Sequence, residues 1–195
     1  MLDRRTFFIR EHIGLMKIKD TYDILDPETQ ALLGTAKETT PGWILLLRLL
    51  LNKSMLPLVV AISANDIDHP VLTMRRGFTL LRSKVWLENA NGEKLGYFKS
   101  KLFSFGGGFW VYDLNDTKVA EVKGDWKGWN FRFLDESGKE LGLVTKKWGG
   151  IGKELFTSAD NYLISINDLG KEQAAYGALL LAAGIAIDTV FKERN

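Results

Sequence analysis

The sequence predicts a mainly β protein in which a closed antiparallel sheet surrounds a buried hydrophobic helix at the C-terminal end of the chain. From Phe78 onward, short alternating stretches are broken by turn residues about every ten positions, which is typical of antiparallel strands. This pattern stops after Ile166, and an apolar helix rich in small residues begins near Lys171. One helix and many strands fit a barrel threaded by that helix, with a sandwich filled from within as the alternative.

The predicted strands pair as hairpins of one repeated kind. Residues 85–96 resemble residues 131–142, because each segment has a strand, an Asx residue that opens a turn, a glycine able to take positive φ, and a second strand that begins near a glycine. Looser copies occur at 22–34 and 111–120. Four similar hairpins can close a sheet and leave no free edge.

The apolar helix is assigned to residues 171–191 and is predicted to lie in the core. A membrane-spanning helix needs about 20 apolar residues, and the uncharged stretch 174–187 is shorter. Its small residues favour a helix packed by protein on all sides. The residues expected to define this central helix are Ala178, Ala182, Gly184 and, as a structural charge near the barrel mouth, Asp188.

Residues 41–67 interrupt the hairpin series and are predicted to be a helical insertion into a single domain that spans 1–195. Within them, 43–51 is apolar except for Arg48 and is interpreted as a short helix at an edge or mouth of the barrel. Burial against the barrel or in a homodimer, docking of a partner protein and insertion at a membrane interface are its alternative roles.

Composition excludes several functional classes. The 195 residues carry 26 basic and 24 acidic side chains, a net charge of +2 that is too balanced for a dedicated nucleic-acid binder. Cys is absent and only two His are present, which leaves no thiol chemistry and no classical zinc site. No Gly-x-Ser-x-Gly motif occurs. We therefore expect no enzyme and no cofactor, and the absence of a signal sequence predicts a non-secreted, cytoplasmic protein.

Residues 142–162 contain Lys-Lys-Trp-Gly-Gly-Ile at 146–151 and Thr-Ser-Ala-Asp-Asn at 157–161, and this segment resembles the phospholipid scramblase family. The likeness continues through residues 178–188, which are similar to the C-terminal helix of that family and its terminal Ile-Asp. It covers roughly residues 78–191. The resemblance implies a Tubby-like fold, shared with LURP-one-related proteins, in which about twelve strands form a barrel around a central helix.

The sequence departs from the resemblance in two ways. It lacks the Pro-rich N-terminal region and the cysteine cluster of animal scramblases. The family's acidic calcium segment would correspond to Asp160, Asn161 and Asp168, but Ser158 stands where the family has its first Asp. Calcium sites of this type need several hard oxygen ligands. These three residues therefore make a weak set of calcium ligands.

Basic residues near aromatic ones are the candidate binding surface. They could bind anionic headgroups, with a solvated exterior as the alternative, since neighbouring strand residues such as Lys146 and Lys147 point to opposite faces. The candidate headgroup-binding residues are Arg75, Arg76, Arg82, Lys84, Lys146, Lys147 and Trp148.

The function expected from the sequence is a non-enzymatic, scramblase-related module that binds anionic phospholipid headgroups at the cytoplasmic face of a membrane. The alternative is a soluble scaffold or stress-response protein that binds a protein partner through 43–51. Genuine lipid scrambling and small-molecule binding at a barrel mouth are further alternatives.

Overall fold

Twelve antiparallel strands form one closed barrel in which each strand pairs with its neighbours in sequence and β1 pairs with β12. The computed structural model describes residues 1–12, 20–65, 69–79, 83–101, 108–125, 128–146, 161–170 and 173–191. The strands are β1 (Thr6–Glu11), β2 (Thr21–Leu25), β3 (Leu32–Glu38), β4 (Leu58–Ala64), β5 (Pro70–Arg76), β6 (Lys84–Asn89), β7 (Lys94–Ser100), β8 (Gly108–Tyr112), β9 (Lys118–Asp125), β10 (Asn130–Leu134), β11 (Glu140–Thr145) and β12 (Tyr162–Ile166). The helices are α1 (Gly42–Leu47) and α2 (Gln173–Ala186). The predicted helix-filled barrel is confirmed.

The four repeated hairpins are confirmed, and they share one turn chemistry. In each turn, a side-chain Oδ1 accepts two backbone N–H bonds of 2.8–3.0 Å from residues further along the turn, and the four accepting residues are Asp26, Asn89, Asp113 and Asp135. Gly92 and Gly138 supply the positive φ in the two closely matching copies. Gln30 and Asp116 take positive φ in the other two turns, which explains why those copies look looser in sequence.

Alternate strand residues fill the barrel and meet α2 along its axis. In β4, for example, Leu58, Val60 and Ile62 are buried and belong to the same core cluster as the helix. The predicted core residues Ala178, Ala182, Gly184 and Asp188 are all buried. At Gly184, an added Cβ would lie 2.6 Å from Ile164 Cδ1. The helix therefore fits against the wall because its residues are small.

The barrel has two different ends. At one, which we name the turn end, the hairpin turns that follow β2, β4, β6, β8 and β10 lie together. At the other, the loop end, lie the longer connections, including the 39–57 segment between β3 and β4. Helix α2 enters from the turn end and continues into a π-helical turn, Ile187–Phe191, which reaches the loop end.

The predicted helical insertion at 41–67 was too long. Strand β4 lies inside it and pairs with both β3 and β5. Its outward residues include Val59 and Ala61, so that apolar residues occupy both faces and the strand alternation is hidden in the sequence. Only α1, the turn that follows it and a 3-10 turn at Lys53–Met55 separate β3 from β4.

The Gly184 contact gives the first testable prediction. We expect Gly184→Leu to lower the free energy of unfolding by about 1–3 kcal/mol, because the new side chain must displace Ile164 in a filled barrel. Urea denaturation measures this change. The matched control is Gly42→Ala, since nothing lies within 4 Å of an added Cβ there. Equal stability of the Gly184 variant and the parent protein would contradict the packing of α2.

Candidate functional site

The predicted basic residues do not form one surface. Arg75 and Lys84 lie on neighbouring strands, with Arg75 paired to Trp86 across β5 and β6. Lys146 follows β11, five strands further round the barrel from β6. At about 4.8 Å per strand, that separation is roughly 24 Å along the sheet. Arg82, Lys147, Trp148 and Asp160 lie outside the described residues.

Arg76 was predicted to bind headgroups, and this prediction is wrong. Its exposed fraction is 3%, because it follows Leu72 and Met74 on the inward face of β5. Its Nε donates to the Leu56 carbonyl at 3.1 Å, and its Nη1 donates to the Val190 carbonyl at 3.5 Å. Arg76 therefore joins the end of the central helix to the segment before β4 and is not available to a surface ligand.

The outer surface of β5, β6 and β7 carries cations and aromatic rings together. We name Arg75, Lys84, Trp86, Tyr97 and Lys99 the basic face. Lys84 pairs with Lys99 across β6 and β7, and Trp86 pairs with Tyr97. The Lys84 Nζ lies 3.7 Å from the centroid of the Tyr97 ring and 4.1 Å from that of Trp86. These cation–π contacts hold the ammonium group in place at the surface.

Acidic side chains neutralise only part of this surface. Glu88 pairs with Arg75 at 2.7 Å, and Glu121 pairs with Lys101 at 2.5 Å and Lys123 at 3.4 Å. Within the described parts of the chain, no carboxylate lies within ion-pair distance of Lys84 or Lys99. Like charges placed directly opposite on two strands destabilise a sheet. A bound anion would relieve this repulsion.

Lys146 lies in a second aromatic setting. Its Nζ is 4.2 Å from the Trp129 ring, and Trp129 packs against Tyr162 with ring centroids 5.1 Å apart. Its backbone N–H donates to the Trp129 carbonyl at 3.2 Å. Lys146 therefore belongs to the mouth of the barrel at β10–β12 and does not contribute to the basic face.

Asn161 and Asp168, the two predicted calcium ligands within the described residues, do not lie together in the structure. Asn161 is buried just before β12, whereas Asp168 is exposed just after it, and the five residues of β12 span about 16 Å. Asp168 instead pairs with Arg5 at 2.9 Å and accepts the Gly170 N–H at 2.8 Å. Asn161 and Asp168 therefore cannot bind one cation together.

A buried polar contact lies at the loop end inside the barrel. The Tyr22 hydroxyl donates to Asp188 Oδ2 at 2.7 Å, and Asp188 has an exposed fraction of 4%. Burial, followed by the nearby Asp188 carboxylate, raises the pKa of Tyr22 above its ordinary value. The same two causes raise the pKa of the fully buried Tyr162. Both phenols therefore stay neutral, and Tyr22 acts as a hydrogen-bond donor to the end of the central helix.

The sequence interpretation missed both aromatic residues of the basic face, Trp86 and Tyr97. Trp86 lies between the inward residues Val85 and Leu87, so the alternation of β6 already indicated an outward indole beside Lys84. The pairing of Lys84 with Lys99 depends on the register between two strands, which composition does not reveal.

A twelve-stranded antiparallel barrel filled by a C-terminal helix is the Tubby-like architecture, and it defines the class of this protein. Comparison with known families takes the assignment one step further, because the Scramblase family model matches residues 16–194. The chain belongs to the Scramblase family, and this membership supports a scramblase-related, lipid-associated role. Neither the curated proteins nor the solved structures contain a significant match. Within the described residues, no helix is long and apolar enough to cross a membrane.

The Tyr22–Asp188 contact gives the second testable prediction. We expect Tyr22→Phe to lower the free energy of unfolding by about 1–3 kcal/mol, because a buried carboxylate loses a hydrogen bond. Tyr97→Phe is the matched control, since the Tyr97 hydroxyl donates to Asp116 at the same distance of 2.7 Å but Asp116 is exposed and water can replace the phenol. Urea denaturation of both variants measures the difference, and equal losses would contradict a structural role specific to the buried pair.

Proposed function

We propose that this protein is a non-enzymatic, peripheral membrane-binding module that recognises anionic phospholipid headgroups through the basic face. The observation that carries this proposal is the pairing of Lys84 with Lys99, directly opposite on neighbouring strands, with no carboxylate at ion-pair distance among the described residues. Arg75 lies one strand away on the same outer surface. A phosphate group placed between the two ammonium groups would accept hydrogen bonds from both and neutralise their repulsion.

The aromatic rings support a headgroup ligand in a second way. Trp86 has the Nζ of Lys84 at 4.1 Å and the Nζ of Lys94 at 4.2 Å from its ring, so one indole orients two cations. Indole rings also favour the headgroup region of a bilayer, and Trp86 is partly exposed, whereas Tyr97 is buried with the Lys84 ammonium over its ring. The basic face therefore combines electrostatic attraction with one indole suited to the interface.

The proposed activity is binding of lipids at the membrane surface and not movement of lipids between leaflets. The long apolar helix α2 is buried in the barrel, where its residues pack against the inward side chains of the strands. A lipid path would need that helix or a comparable element in the bilayer. The proposed module therefore works from the membrane surface.

Vesicle co-sedimentation tests the proposal. We expect binding to vesicles that contain phosphatidylserine or a phosphoinositide and no binding to neutral phosphatidylcholine vesicles, with affinity that falls as salt rises. Lys84→Gln combined with Lys99→Gln should lower the partition coefficient by up to about 30-fold, since each basic residue near an anionic surface contributes about 1 kcal/mol. Removal of the like-charge pair should leave the melting temperature unchanged or slightly higher.

The control variant changes the same amount of charge elsewhere. Lys118→Gln combined with Lys139→Gln removes two cations at the turn end of the barrel, where Lys118 starts β9 and Lys139 precedes β11. We expect a much smaller loss of binding for this variant. If the two double variants lose vesicle binding equally, the loss is explained by net charge alone, and a specific basic face is rejected. A soluble inositol phosphate that competes fully with vesicles would show headgroup recognition without a bilayer.

A further inference from the structure

A group of large apolar side chains at the loop end is exposed and does not belong to the hydrophobic core. We name it the leucine-rich rim, and it consists of Trp43, Leu46, Leu49, Leu50, Leu51 and Phe78. Leu49 and Leu50, in the turn after α1, have exposed fractions of 82%. Contiguous exposed apolar groups on a protein mark an interaction surface. For residues 43–51, burial against the barrel or in a homodimer was one of the predicted alternatives, and the single chain leaves Trp43, Leu46 and Leu49–Leu51 exposed.

The segments that carry the rim are anchored to the barrel. Ile44 of α1 is buried, and Arg48 forms an ion pair with the buried Glu38 at the end of β3. The connection that carries Phe78 is joined to the segment that follows the leucines, because the Thr79 N–H donates to the Met55 carbonyl at 3.0 Å. The exposed side chains therefore project from two connections that lie side by side.

The two connections that carry the rim contain basic residues and no acidic one, two in residues 41–57 and four in residues 75–84. Arg48 and Arg75 are paired with Glu38 and Glu88, and Arg76 is buried, whereas Lys84 has no carboxylate at ion-pair distance among the described residues. Residues 75–84 include Arg75 and Lys84 of the basic face, so that the two surfaces are continuous along the chain. Apolar groups together with negative charge therefore suit an occupant that covers both the rim and the adjoining Lys84 and Lys99 of the basic face.

We propose that the leucine-rich rim inserts into the boundary between headgroups and acyl chains of an anionic bilayer while the basic face binds the headgroups. This inference rests on the proposed function and deepens it, since it names the second element of the membrane contact and fixes which end of the barrel faces the lipid. An apolar element flanked by cations is the arrangement that binds at such an interface. Docking of a second copy is disfavoured because it would bring two sets of like charges together.

The absence of Cys from the chain allows a direct test. Leu50→Cys, labelled with an environment-sensitive fluorophore, reports the rim. The matched control is Leu114→Cys, since Leu114 is also an exposed leucine, at 57%, but lies in the β8–β9 turn at the opposite end of the barrel. Both are measured with neutral vesicles, with phosphatidylserine vesicles and with phosphatidylserine vesicles whose acyl chains carry bromine as a quencher.

The expected result is a blue shift and bromine quenching for the probe at residue 50, only with anionic vesicles, and no change for the probe at residue 114. Leu49→Ser combined with Leu50→Ser should reduce vesicle partitioning by at least about tenfold. Leu114→Ser should leave it unchanged.

The other outcomes separate the two proposals. Salt-sensitive binding of the full chain without quenching at residue 50 would overturn rim insertion and leave headgroup binding in place. Quenching at residue 50 that persists at full strength in the Lys84 and Lys99 double variant would reject the basic face and retain the rim. A dimer that forms without lipid and is abolished by the two serine substitutions, with no quenching, would identify a second copy as the occupant and overturn the inference.

Discussion

The close approach of α2 to the barrel wall is the constraint on which the rest of the structure depends. A closed sheet of twelve strands encloses more space than its own inward side chains can fill, and the helix supplies the missing volume. The approach is possible because Gly184 presents no Cβ to Ile164, and the neighbouring Ala182 and Ala183, which carry only a methyl group, are fully buried. The hairpins, in turn, set the diameter into which this helix must fit.

This use of the helix determines where a ligand can be bound. The barrel interior is occupied by apolar side chains, and at the loop end its polar groups serve the fold: Tyr22 donates to Asp188, and Arg76 donates to the Val190 and Leu56 carbonyls. The proposed contacts with a lipid surface therefore lie on the outside of the wall and on the connections at the loop end. The turn end, with its short Asx turns, offers polar backbone and few apolar groups.

The sequence predicts local features of this fold well and long-range ones poorly. The hairpin turns could be predicted because an Asx residue and a positive φ act within a few residues. The inward position of Arg76 could also have been predicted, because Leu72, Met74 and Arg76 occupy alternate positions of β5 and therefore point to the same face. Strand β4 could not be recognised, because Val59 and Ala61 make its outer face apolar as well. The pairing of Lys84 with Lys99 and the distance from Lys84 to Lys146 depend on register and strand number, which only the closed barrel defines.

The two proposed membrane contacts differ in how they respond to conditions, and together they restrict the orientation of the barrel. The basic face acts through charge, so its contribution weakens as salt rises, whereas the leucine-rich rim acts through removal of apolar surface from water and is insensitive to salt. A cation on the wall of a barrel can attract an anionic surface in many orientations. A rim that projects from one end reduces these to orientations in which the loop end meets the bilayer. Because Arg75 and Lys84 lie at the loop-end termini of β5 and β6, they reach the headgroup level in those same orientations. The two surfaces are therefore compatible with one mode of binding, in which charge brings the protein to the membrane and the exposed leucines hold it there.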